Sequence, residues 1–324
     1  MRSNGSTLGV AVVLTVLGAQ AQAQVTSPYP ARPVRLIVPL AAGGGMDTVA
    51  RAVAQKLTDQ LTQTVVVDNR GGGGGSIGAE LAAAAPPDGY TLFMMSTTAV
   101  IHPLMYKARY DIVNDFAAVS QVTTQPYVIV VNNALPIKSM SELVAYAKAN
   151  PTKLNFASSG NGSLIHMTGE LFKLSTGAAM THIPYKGIGA AYPDLFAGNI
   201  QLTFASIISA MPHIRAQRIR ALAVTGARRA KAVPELPTVA ETGVKGFAVA
   251  NWYGVLAPAR TPRAVIDRLH GEIVKALPQP EVGARLAADG AEPVGSTPQE
   301  FAAHVREERE KWARVIKQTG IRGD

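Results

Sequence analysis

The chain has 324 residues, 47% hydrophobic and 16% charged, and contains no cysteine. That composition excludes a disordered chain, which needs low hydrophobicity and high charge, and leaves neither a disulfide framework nor a thiol nucleophile. The formal net charge is +9, but the basic residues are scattered. They form a diffuse field that draws in anionic solutes, and no nucleic-acid partner is expected.

The first segment reads as a cleaved signal peptide over residues 1–23. Arg2 supplies a positive start and Leu8 to Leu17 an apolar run too short to span a bilayer. Ala19, Ala21 and Ala23 offer cleavage after Ala21 or Ala23. With no cysteine to acylate, the expected product diffuses freely in the periplasm.

Short apolar strands then alternate with amphipathic helices, the pattern of an α/β protein with parallel strands. Val34–Pro39 is predicted as a strand, Leu40–Met46 as a loop and Asp47–Gln60 as a helix. Thr64–Val67 is the next strand, followed by five glycines, Gly71 to Gly75. A helix over Ser76–Ala85 stops at Pro86-Pro87, because proline cannot continue it. Asp88-Gly89 turns the chain into a strand over Tyr90–Met95.

The cycle restarts with a strand at Tyr127–Val131. Ser139 and Glu142 have the spacing of a capping box, for a helix reaching Asn150. A strand at Leu154–Ala157 leads through the Ser158–Gly162 loop into a helix ending near Ser175. Further strands are predicted at Met180–Pro184, Gln201–Ala205 and Ala221–Val224. Thr261 with Pro262 at the first helical position starts another helix, and Thr297 with Glu300 makes a second capping box. Phe301, Val305, Trp312 and Ile316 share one face of the last helix, which Gly320 ends. Two extended stretches, Val122–Val131 and Phe247–Leu256, are candidate hinge strands. They divide the chain into one lobe of residues 25–125 plus 252–324 and another of 126–251.

No cluster of histidine, aspartate and glutamate has metal-ligand spacing, and no Gly-x-Ser-x-Gly elbow or phosphate loop is present. Gly73-Gly74-Gly75-Ser76-Ile77-Gly78 matches the dinucleotide fingerprint, but any long glycine run generates that match, and no ribose-binding acid on a following strand accompanies it. Neither metal nor cofactor is expected. A secreted α/β oxidoreductase is the distant alternative that this match leaves.

Two strand-to-helix loops carry more chemistry. Leu40, Ala41, Gly43, Gly44 and Asp47 belong to one; Ser158, Ser159, Gly160, Asn161, Gly162 and Ser163 to the other, with His166 one turn into its helix. Glycines there let main-chain N–H groups face an anion at a helix N-terminus. Two such loops opposed across a cleft could hold a carboxylate without an arginine. Asp47 can also cap its helix and pair with Arg51 four residues on. Thr97 and Thr98 would line the same edge.

These motifs together resemble the solute receptors of tripartite tricarboxylate transporters, the Bug-type extracytoplasmic binding proteins. The resemblance runs over the mature chain. It includes Tyr29-Pro30-Ala31-Arg32-Pro33-Val34, Val38–Asp47 with Ala50-Arg51, Val67-Asp68-Asn69-Arg70, and Pro87-Asp88-Gly89-Tyr90-Thr91-Leu92. Further on come Ser158–His166, Pro184-Tyr185-Lys186-Gly187, Arg220–Thr225, Trp252-Tyr253-Gly254 and Ala257-Pro258.

The resemblance implies a two-lobed periplasmic-binding-protein (Venus-flytrap) α/β fold with a two-strand hinge, a ligand carboxylate gripped between the two loops, and no catalysis. The distal end of the ligand would lie near Thr97, Thr98, Tyr185 and Ala205, and Gly187 is also expected at the substrate site. The implied partners are a small organic mono- or dicarboxylate, aromatic ones included, and a transporter permease in the membrane; the protein itself is expected to be a monomer. A ligand-presenting sensor for a membrane kinase would use the same pocket. Two departures stand out: Gly71 and Gly73 replace a usual proline and alanine, which loosens that turn. Gln201 and Ala205 occupy a stretch that often carries an acid, which disfavours an ammonium-bearing ligand.

Overall fold

A computed structural model describes residues 29–323, apart from 41, 44, 186 and 289. The signal segment 1–23 lies outside the described residues, as do Ala41 and Gly44 of the first loop. In chain order the elements are β1 (Val34–Val38), α1 (Gly45–Leu61), β2 (Val65–Asn69), α2 (Ser76–Ala83), β3 (Thr91–Ser96) and α3 (Thr97–Met105). Then follow β4 (Phe116–Asn132), α4 (Met140–Ala149), β5 (Asn155–Ser158), α5 (Leu164–Thr176), β6 (Thr181–Pro184) and α6 (Tyr192–Ala197). The rest are β7 (Leu202–Ser206), α7 (Ile207–Arg215), β8 (Ile219–Val224), β9 (Ala250–Pro258), α8 (Arg263–Ala276), α9 (Pro280–Ala288), β10 (Glu292–Pro293) and α10 (Pro298–Thr319).

The strands run β2-β1-β3-β9-β4-β7-β5-β6, with β8 and β10 also paired to β4. β4 belongs to both halves of this sheet. Its residues Phe116 to Pro126 pair with β9, and from Tyr127 onward it pairs with β7 and β8. β9 joins β3 to β4, antiparallel to both. The parallel strands β1, β2 and β3 form one half and the parallel β5, β6 and β7 the other.

Both faces of the sheet are covered, which is why its strands read as apolar runs with little alternation. Leu36, Val38 and Leu92 pack with Val49, Val53 and Leu57 of α1 on one face. Ile37 and Phe93 point to the other, where Phe301 and Trp312 of α10 join them. α10 is 22 residues long, and it packs against α3 and β4 and reaches α5 in the other half.

Local chemistry explains most element ends. Thr297 and Glu300 form the reciprocal capping box, and Gly320 closes α10 with a left-handed φ of 68°. Ser139 caps α4 as expected, but Glu142 accepts from the Lys138 N–H, one residue upstream of the cap. Thr261 does not cap α8: its hydroxyl donates to the Pro258 carbonyl, and Pro262 stands at the cap. α3 was not anticipated. Pro103 lies inside it, and a proline in so short an apolar run reads as a loop.

Candidate functional site

A cleft of about 550 Å³ opens between the two halves. Leu40 and Met46 and the turn at Gly73-Gly74 line one side, with Ser96, Thr98, Ile101, His102 and Met105 of β3–α3. Ser159, Asn161, Gly162, Ser163 and Leu164 line the other, and Tyr127, Asn251 and Tyr253 on the two strands that join the halves complete the wall. Gly162 sits close to α3: a Cβ there would lie 3.1 Å from Met105 Sδ.

The first loop is folded by a single buried carboxylate. Asp47 Oδ2 accepts from the Gly43 N–H and from Arg51 Nε, both at 2.9 Å, and its Oδ1 accepts from Asn69 Nδ2 at 3.0 Å. Asn69 Nδ2 also reaches the Leu40 carbonyl, at 3.1 Å. Burial raises the Asp47 pKa, but the hydrogen bonds from Arg51, Gly43 and Asn69 outweigh it and hold the carboxyl below its usual range. With both oxygens engaged, Asp47 shapes the loop from behind the cleft.

The second loop is built the same way with neutral groups. Ser158 is fully buried; its Oγ accepts from the Gly160 N–H at 3.1 Å and lies 2.6 Å from His182 Nε2. The Tyr185 N–H donates to the Ser158 carbonyl at 3.1 Å. Ser163 caps α5 by accepting from the His166 N–H, and His166 Nδ1 accepts from the Gly162 N–H at 3.1 Å.

Of the residues singled out from sequence, Leu40, Thr98, Ser159, Asn161, Gly162 and Ser163 line the cleft. Asp47, Thr97, Ser158 and His166 are buried behind it. Gly43 and Gly160 have positive φ in their loops. Tyr185 turns its hydroxyl away to Asp194 Oδ2, a Cβ added at Gly187 would meet nothing within 4 Å, and Ala205 of β7 is fully buried in the core. None of those three lines the cleft.

Sequence reasoning placed Thr97 and Thr98 at the cleft edge but missed the rest of α3 and the tyrosines on the crossing strands. The apolar run Ala99-Val100-Ile101 was the available sign of α3. Tyr127 and Tyr253 lay within the candidate hinge stretches, but strand identity does not say which face meets a ligand.

The described lining residues include no lysine, arginine, aspartate or glutamate. His102 is the one titratable base among them, and burial lowers its pKa, which leaves main-chain dipoles as the available source of positive potential among the described residues. The N-termini of α1, α3 and α5 all open at the cleft, through Met46, Ser96 with Thr98, and Ser163 with Leu164. A helix N-terminus carries about half a positive charge and presents N–H groups without intrahelical acceptors. Among the described residues no His/Asp/Glu cluster could hold a metal ion, and no helix is long and apolar enough to cross a membrane.

The profile of the tripartite tricarboxylate transporter family receptors matches residues 49–321. Protein BugT of Bordetella pertussis is 38% identical over 297 residues, 91% of this chain and 91% of its own length. The solved periplasmic binding protein BugD is 34% identical with a TM-score of 0.72, covering 91% of this chain and all of that one (100%). An R. palustris protein solved with adipate is 36% identical with a TM-score of 0.75, over 91% of this chain and 99% of that one. The two-lobed α/β architecture is shared with these binding proteins.

Proposed function

The chain belongs to the tripartite tricarboxylate transporter receptor family, and on that footing we propose that it is a periplasmic receptor that captures a small organic carboxylate without turning it over. One observation carries this reading: a cleft onto which three helix N-termini open and whose described lining residues include no lysine, arginine, aspartate or glutamate. Such a site favours an anion small enough to be surrounded by N–H groups and hydroxyls.

The carboxylate lies between the loop of Leu40, Ala41, Gly43 and Gly44 and the loop of Ser159 to Ser163, within reach of the Thr98 hydroxyl. Asp47, Ser158 and His166 support these loops from behind, Thr97 is buried at the start of α3, and Tyr185 tethers the second loop through its N–H. The body of the ligand meets Ile101, Met105, Tyr106, Tyr127 and Tyr253, a wall suited to an aliphatic or aromatic acid. A similar protein was solved with adipate, a linear aliphatic dicarboxylate. The lobes of residues 25–125 plus 252–324 and 126–251 close about β4 and β9, and export through residues 1–23 delivers a monomer to a permease partner.

Thermal melting of the mature protein with adipate, malate, benzoate and phenylacetate tests the reading. Ligand at a hundred times its Kd adds about 2.7 kcal/mol, which for a chain of this size raises Tm by roughly 5 °C. The reading requires such a shift with at least one acid, and the acid recovered unchanged. No shift with any of the four, or consumption of the bound acid, would overturn it.

A further inference from the structure

Behind the second loop lies a pair of imidazoles from different elements. His166 of α5 and His182 of β6 stack with ring centroids 3.7 Å apart and planes 8° from parallel. Each ring holds one part of the loop: His182 Nε2 lies on Ser158 Oγ at 2.6 Å, and His166 Nδ1 accepts from the Gly162 N–H at 3.1 Å. Phe156 of β5 lies beside the stack, its ring centroid 5.0 Å from that of His182 and 6.4 Å from that of His166. His182 does not line the cleft.

We propose that His182 is a positioning residue for carboxylate capture: stacked as a neutral pair with His166, it holds the Ser158–Ser163 loop in the shape that receives the ligand. This rests on the carboxylate reading above. The geometry requires His166 to be neutral with its proton on Nε2, because a proton on Nδ1 would set two N–H groups against each other. A second proton on the pair would press two cations face to face. The charged groups recorded around the rings are both on α5. Glu170 Oε1 lies 3.9 Å from His166 Nε2, and Lys173 Nζ lies 2.9 Å from that carboxylate.

Burial, then the neighbouring His182 ring and Lys173, push His166 down to about 4; burial and then Lys173 push His182 down to about 4. Unfolded imidazoles titrate near 6.5, so between these values the unfolded chain binds more protons than the folded one. The pair's contribution to stability is therefore complete above about pH 6.5 and lost as pH falls towards 4.

Benzoate and adipate titrations of wild type, His182→Phe and His182→Gln test the proposal. Phenylalanine keeps a flat ring against His166 but cannot bond Ser158; glutamine restores an amide that can donate to or accept from Ser158 Oγ at that reach. For the probe that binds wild type, His182→Phe is expected to weaken affinity about tenfold, the scale of one lost buried hydrogen bond. His182→Gln should recover most of that loss and lose less stability than wild type between pH 6.5 and 4. Melting at pH 7.5 should fall in His182→Phe by no more than one lost buried hydrogen bond, and by less in His182→Gln. Unchanged affinity in His182→Phe overturns the proposal.

If neither probe binds wild type, the carboxylate reading is in doubt and ¹⁵N NMR of the ligand-free protein decides the pair separately. A His166 proton on Nε2 and a Gly162 amide signal displaced by His182→Phe support the loop-holding role. A proton on His166 Nδ1, or a Gly162 amide unmoved by the variant, overturns it.

Discussion

Replacing Glu308 with alanine is expected to lower stability by about 3 kcal/mol, the lower end of the cost of removing one partner of a buried ion pair. Glu308 is 5% exposed and lies on the inward face of α10. Its Oε2 accepts from Trp312 Nε1 at 2.9 Å and from Trp252 Nε1 at 3.5 Å, while its Oε1 meets Lys311 Nζ. Alanine would leave the ammonium and both indole N–H groups without their acceptor. The lower end of the range applies because Lys311 keeps 23% of its side chain in water. Lys311 also reaches the Ala248 carbonyl at 3.4 Å, so this cluster fastens α10 to the segment leading into β9. Trp252 and Trp312 are the only two tryptophans in the sequence, which makes urea unfolding followed by fluorescence a direct readout. Glu308→Gln, which keeps an acceptor, should cost less; a loss under about 1 kcal/mol for the alanine variant would contradict this account.

The other large effect is steric. Gly254 lies in β9 between Met95 of β3 and Gln121 of β4. A Cβ added there would meet the ring of Phe301, 2.6 Å from Cε1 and 2.8 Å from Cε2. Phe301 is fully buried, and β9 cannot step aside because it is paired on both edges. Gly254→Ala should therefore exceed the usual overpacking cost and reach about 3 kcal/mol or more. Gly271 on α8 has nothing within 4 Å of an added Cβ, and Gly271→Ala should stabilise by roughly 0.5–1 kcal/mol. A denaturation midpoint for Gly254→Ala close to wild type would show that α10 yields where its packing says it cannot.

Much of this arrangement was legible in the sequence because the signals were local. The strand–loop–helix pattern around Val34–Gln60 corresponds to β1 and α1, and the two extended stretches correspond to parts of β4 and β9. Ser139 and Thr297 cap the helices that follow them. What failed to read depended on tertiary neighbours. α3 hides its helix behind Pro103, so the third helix N-terminus at the cleft was invisible. The His166–His182 stack joins residues sixteen positions apart on different elements, and no spacing rule links them. Tyr185 and Ala205 were expected at the distal pocket because the resemblance pointed to their stretches, yet one turns its hydroxyl to Asp194 and the other lies in the core. Tyr127 and Tyr253 line the cleft instead, on strands whose facing only the twisted sheet decides.

The central claim is that main-chain dipoles, rather than a cationic side chain, receive a carboxylate between the two loops. A crystal structure of the protein with a bound acid measures this directly. The account predicts both carboxylate oxygens within about 2.7–3.2 Å of N–H groups and hydroxyls of residues 40–47, 98 and 159–165. A carboxylate held by lysine or arginine side chains, or lodged outside this cleft, would contradict it.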